Sequence, residues 1–180
     1  RRHLADKDQD PGAFRPAGPQ SCWGVEEFEV SKDGRTVAFV MNEAGIGKLM
    51  LLDVGSGPIR PVTALPAGQI YSLDFSPWGQ LGFAMTSAKS PSDVYSLDPQ
   101  NMKVSRWTQS ETGGLDPSVN VEPELIEVKS FDGEALSGFL YRPDPAKFPG
   151  KRPLIVNIHG GPEGQSRPGF MGRNNYLLNE

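Results

Sequence analysis

A single cysteine, two histidines and no long apolar run set the first limits on this sequence. With Cys22 alone, no internal disulfide can brace the fold, and Cys22 reads as a small hydrophobe beside Trp23. No stretch approaches the roughly 18 apolar residues of a membrane span, so no membrane partner is expected. Lys and Arg number 18 against 22 Asp and Glu, a net charge of −4, which removes any general pull toward nucleic acid. No group of His, Cys, Asp and Glu has metal-ligand spacing, and neither a metal nor another cofactor is expected. The nucleophile elbow G-x-S-x-G is missing as well. The chain opens on Arg1-Arg2-His3 without a Met or an apolar leader, and closes on 175–180, a helix start with no stop signal. Both ends are therefore expected to be cuts within a longer protein, and the compartment, cytoplasmic or periplasmic, stays open.

Glycine and proline, by contrast, are abundant, 21 and 17 of 180 residues, which predicts many turns and short strands. The turns recur. Phe28-Glu29-Val30-Ser31 matches Leu73-Asp74-Phe75-Ser76 at an offset of 45 residues. Turns follow in both copies, Lys32-Asp33-Gly34 and Pro77-Trp78-Gly79, and then strand patterns, 36–41 and 81–86. Leu52-Asp53 matches Leu97-Asp98, and Val62-Thr63 matches Trp107-Thr108, at the same offset. Asp53 and Asp98 read as turn residues. Four short strands in a unit of this length describe a blade of a β-propeller. Two blades cannot close a ring, so further blades are expected ahead of Arg1, with 1–24 belonging to the preceding one.

The repeat stops at 112–117, a polar, turn-rich linker. Residues 124–131 and 135–141 then alternate as a hairpin around Asp132-Gly133. A Pro-rich loop, 142–152, leads to Pro153-Leu154-Ile155-Val156-Asn157-Ile158, which predicts a strand buried on both faces. The expected fold class is thus partial-ring β-propeller blades over 1–116, followed by the N-terminal part of an α/β-hydrolase domain over 117–180.

The apolar run enters His159-Gly160-Gly161-Pro162. Acyl transfer needs donors fixed in advance around a developing oxyanion, and backbone N–H groups serve this well. Adjacent glycines let the main chain come close to a substrate, and a His-Gly-Gly loop after a buried strand supplies such a donor in α/β-hydrolases. Gly160 and Gly161 are the candidate donors, with His159 orienting the loop. His159 is a poor general base here, because the histidine of this fold's triad comes last in chain order. Ser166, in Gly164-Gln165-Ser166-Arg167-Pro168-Gly169, misses the elbow spacing by one residue. Glu163 and Arg167 flank the loop as candidate substrate contacts, although solvated loop charges are the plainer reading. Glu122 and Glu124 form either an acid pair or an acidic patch in the linker.

Taken in order, these phrases resemble the prolyl oligopeptidase family of serine peptidases, and within it the bacterial acylaminoacyl-peptidase and dipeptidyl-peptidase-like members. Ser31-Lys32-Asp33-Gly34-Arg35-Thr36-Val37-Ala38-Phe39, Ser92-Asp93-Val94-Tyr95-Ser96-Leu97-Asp98 and Trp107-Thr108-Gln109-Ser110-Glu111 are similar to that family's propeller. Phe131-Asp132-Gly133, Gly138-Phe139-Leu140-Tyr141-Arg142-Pro143 and His159-Gly160-Gly161-Pro162 are similar to the start of its hydrolase domain. The resemblance implies a serine peptidase acting on short peptides or acyl-peptides, with the propeller gating access and the Ser, Asp and His of the triad beyond Glu180. Where the prolyl branch has Tyr this chain has His159, which puts proline specificity in doubt.

Two rivals remain. An esterase or lipase would share the glycine loop but not the blades, and a TolB- or WD-like binding propeller predicts further blades after Pro117, where the pattern instead changes. Homo-oligomerisation is left open.

Overall fold

The computed structural model describes residues 24–55, 57–161 and 164–179. The readings of His3, Cys22 and the 1–24 connection, Gly24 apart, lie outside these residues. The first sheet contains β1 (Gly24–Val30), β2 (Thr36–Glu43), β3 (Ile46–Asp53) and β4 (Ile59–Pro61). The second contains β5 (Gly68–Phe75), β6 (Leu81–Ser87), β7 (Ser90–Asp98) and β8 (Lys103–Arg106). In both, the strands lie side by side in chain order and run antiparallel, the arrangement of two propeller-type blades.

Local chemistry fixes the first hairpin of each blade. In blade 1 the Asp33 carboxylate accepts from Ser31 Oγ at 2.6 Å and from the Arg35 amide at 3.1 Å, closing the turn around Gly34. The blade 2 turn is a residue shorter. Val30 pairs with Val37, seven positions on, whereas Phe75 pairs with Leu81, six positions on. In space β6 therefore matches β2 at an offset of 44, not the 45 that holds along the rest of the repeat.

Each innermost strand carries a register shift, between Val25 and Glu27 in β1 and between Tyr71 and Asp74 in β5. The second bulge frees two amides from the ladder. Glu27 of blade 1 accepts both, Ser72 N at 2.9 Å and Leu73 N at 2.8 Å, so blade 1 satisfies donors that blade 2 cannot.

The core lies where the blades meet. Ala38, Val40, Leu49 and Leu51 of blade 1 form one cluster with Ile70, Leu73, Phe75, Leu81, Phe83, Met85 and Leu97 of blade 2. Phe83 stacks on Tyr95 with ring centroids 5.5 Å apart. Arg60 of β4 crosses to blade 2, donating to the Pro99 carbonyl at 3.0 Å while pairing with Asp53. Asp98 behaves as a turn residue, accepting from the Gln100 amide and Asn101 Nδ2.

Beyond blade 2 the linker stays against it. Asn120 Nδ2 donates to the Ala88 carbonyl at 3.3 Å, and Glu122 pairs with Lys89. β9 (Glu124–Lys129) and β10 (Ala135–Leu140) then form the expected hairpin, with Gly133 at φ +89 in its turn. Glu124 pairs with Arg142, so Glu122 and Glu124 answer to different bases and make no acid pair.

The run 153–158 departs from expectation. It joins no sheet among the described residues, and its apolar side chains stand open, Leu154 at 77% and Ile158 at 81% exposure. Apolar character alone does not make a strand, because the backbone must find a ladder to complete. Where an α/β-hydrolase start was expected, residues 117–179 hold the β9–β10 hairpin, 3-10 turns at Pro117–Val119 and Gly172–Asn175 and one helical turn, α1 (Tyr176–Asn179), with no parallel sheet among the described residues.

Candidate active-site loop

His159, Gly160 and Gly161 sit at the end of the exposed run, outside any regular element. Gly161 has φ +71, a conformation that side-chain-bearing residues rarely take. Among the described residues, chain neighbours apart, no atom lies within 4 Å of where a Cβ would stand on Gly160 or Gly161. Both residues are thus open on the side where a Cβ would stand, and among the described residues no backbone carbonyl accepts from their N–H groups. His159 Nδ1 lies 3.4 Å from the Gly160 carbonyl, too far for a strong hydrogen bond but close enough to keep the ring beside the loop.

The loop folds back at Gly164. A Cβ there would fall 2.6 Å from both the Gly160 carbonyl oxygen and His159 Nδ1, so only glycine fits. From this point the chain runs as a strap over both blades. Gln165 Oε1 accepts from Asn42 Nδ2 at 2.7 Å. Arg167 donates through Nη2 to Glu26 at 2.7 Å and through Nε to the Gly45 carbonyl at 3.1 Å. Pro168 is buried, and the Phe170 amide reaches Thr86 Oγ1 of blade 2 at 3.3 Å. Phe139 of β10 closes on the same turn, 2.9 Å from where a Gly45 Cβ would be.

The proposed site residues thus part company. His159, Gly160 and Gly161 stay together as a loop. Arg167 is drawn onto blade 1, and Glu163 lies outside the described residues. Ser166 turns its carbonyl toward Gly45 and makes no hydrogen bond to His159, the one histidine among the described residues. Sequence reasoning missed Glu26 and Asn42. Asn42 carried a readable signal, since Asn before a Gly-containing turn favours side-chain bonds to nearby amides, and Asn42 Oδ1 accepts the Gly45 amide three residues on at 2.9 Å. Glu26 carried none.

No group of three or more metal-ligating side chains occurs among the described residues, and no described helix is long and apolar enough to cross a membrane.

No family model matches the chain. An uncharacterized peptidase of Bacillus subtilis (strain 168), YuxL, is 27% identical over 161 residues, which is 89% of this chain and 23% of that protein. Among solved structures, puromycin hydrolase superposes with a TM-score of 0.69 at 20% identity, over 86% of this chain and 24% of that one. The acylaminoacyl peptidase of Pyrococcus horikoshii does so at 0.64 and 24%, over 87% and 23%. The chain is akin to the prolyl oligopeptidase family of peptidases. At these identities the solved structures establish the shared fold, and the family likeness of the sequence motifs is met by a fold of the same kind. The chain spans about a quarter of the length of these relatives.

Proposed function

We propose that the chain forms part of a serine peptidase that hydrolyses short peptides or acyl-peptides by Ser-His-Asp acyl transfer. Residues 24–106 supply two blades that border the route to the site. The observation that carries this reading is the glycine loop, His159-Gly160-Gly161, open to solvent yet only a few residues from a strap fastened across both blades. In this reading the Gly160 and Gly161 N–H groups receive the carbonyl oxygen of the scissile bond as it becomes an oxyanion, and His159 holds the loop's shape. Arg167 and Glu163 remain the candidate contacts to substrate. Residues 117–180 form the start of the catalytic domain, and the nucleophile, acid and base come from sequence beyond Glu180.

Two results test this. The 180 residues alone are expected to take no label from a serine-reactive fluorophosphonate, and stoichiometric labelling at Ser166 would overturn the assignment. The coding sequence downstream of residue 180 is expected to contain G-x-S-x-G, then Asp, then His. A downstream sequence without that elbow removes the peptidase reading and leaves the blades as a binding module.

A further inference from the structure

The chain returns to blade 1 directly after the glycine loop, and the return is a closed ring of hydrogen bonds. Asn42, buried at the end of β2, donates to Glu26 Oε1 at 3.1 Å and to Gln165 Oε1 at 2.7 Å, and accepts the Gly45 amide. Arg167 completes the ring by grasping Glu26 Oε2 and the Gly45 carbonyl with one guanidinium. The planar fork suits two fixed acceptors, which a lysine ammonium would hold without that fixed geometry. The Arg167 and Glu26 side chains keep 22% and 31% of their exposure, so water does not fully screen the pair. Arg167 lies three residues after Gly164, whose α-carbon is wedged against His159. Three residues span at most about 10 Å of extended chain, so Arg167 and the glycine loop are joined by a short tether.

We propose that Arg167 is a positioning residue whose grip on Glu26 and the Gly45 carbonyl sets where the His159-Gly160-Gly161 loop stands relative to the blades. Its relevance to hydrolysis rests on the acyl-transfer reading above, whereas the coupling itself does not. A rearrangement of blade 1 at the β2–β3 turn reaches the glycine loop through this ring, and a substrate pressing on the loop is felt at Glu26.

The test uses the 180-residue chain with His3→Gln as background, leaving His159 as the sole histidine for NMR. Arg167→Met is expected to move the His159 ring Cε1–H resonance. It should also raise exchange of the Phe170 amide, which donates to Thr86 Oγ1, by roughly ten- to a hundredfold, the scale of one charge-assisted hydrogen bond, while β6 and β7 keep their protection. Glu26→Gln should give the same two changes, and the double variant no more than the larger single one. Unchanged exchange at the Phe170 amide overturns the proposal, and so does a loosened strap with an unmoved His159 resonance. If Arg167→Met unfolds the blades, Arg167→Lys decides: a moved His159 resonance over protected blades supports the coupling, and an unmoved one overturns it. None of these measurements involves hydrolysis, so a missing downstream elbow would sink the peptidase reading and leave this result standing.

Discussion

Phe28 in β1 and Leu73 in β5 hold the same place in two copies of one repeat, yet Phe28 is 65% exposed and Leu73 8%. Val30 and Phe75 repeat the contrast, at 40% and 1%. The residue types are alike, so chemistry does not explain the difference; neighbours do. Blade 2 turns that face onto Ala38, Val40, Leu49 and Leu51 of blade 1, while the matching face of blade 1 stays open. A blade pattern specifies a sheet with two apolar faces, and stacking decides which of them becomes core.

The blades differ a second time at the outer strands. Asp93 of β7 is buried and accepts from Ser90, Thr108 and Ser110, and from Arg106 at 2.5 Å. Its counterpart in β3 is Lys48, exposed to solvent. Burial alone would raise the Asp93 carboxyl, but the hydrogen bonds outweigh it and hold the group at about 2. Blade 2 therefore closes on an ionic knot that blade 1 lacks.

The largest effect should come from cutting that knot. Asp93→Ala is expected to lower unfolding free energy by about 3 kcal/mol, because Arg106, Thr108 and Ser110 lose their shared acceptor. Lys48→Ala should change it by less than about 0.5 kcal/mol. Urea unfolding followed by fluorescence of Trp107, which donates to Ser96 Oγ, measures both. The same group has a pH signature. Since its folded pKa is depressed below the ordinary 3.8, its contribution is complete above that value and fades as pH falls toward 2. Between those limits about 2 kcal/mol should vanish, and Asp93→Asn should flatten that part of the acid titration.

Next in size is the packing contrast. Leu73→Ala should cost about 2–3 kcal/mol through a cavity at the blade junction, whereas Phe28→Ala should cost under about 0.5 kcal/mol. Equal losses at the two positions would show that the β1 face is covered in solution, and would end the comparison.

A third variant probes the turn that receives the strap. Gly45 has φ +88, with Phe139 and the Ser166 carbonyl 2.9 and 3.0 Å from a would-be Cβ. Gly45→Ala should therefore destabilise by about 1–3 kcal/mol and speed proteolysis within 164–172, while Lys89→Ala at the matching turn leaves that segment protected. A smaller loss, about 1 kcal/mol in total, is expected of Glu27→Gln, which weakens two hydrogen bonds to the β5 bulge.

The blades were legible in the sequence because their signals are local: alternation within a strand, Gly34 and Gly79 in turns, and a repeat that sets one strand beside the next. The slip to an offset of 44 was not, since Ser31-to-Thr36 and Ser76-to-Gln80 differ by one residue inside turns of similar composition. The run 153–158 misled because its composition describes a buried strand, and burial needs a partner that composition cannot supply. The glycine loop was visible as a motif, but the ring holding Arg167 joins residues 122 to 141 positions apart. No periodicity links Glu26 to Arg167; only the fold brings them together.

The Glu27 carboxylate gives the pair of blades a direction. It reaches forward to the two bulge amides of β5, and the residue at the corresponding place in blade 2, 45 positions on, is Ser72. A serine hydroxyl is too short to serve two amides across a blade junction. Exchanging the order of the two blades would therefore strand a pair of donors while leaving every strand intact. The copies share one pattern but are not interchangeable parts: each is written for its own place in the sequence of blades.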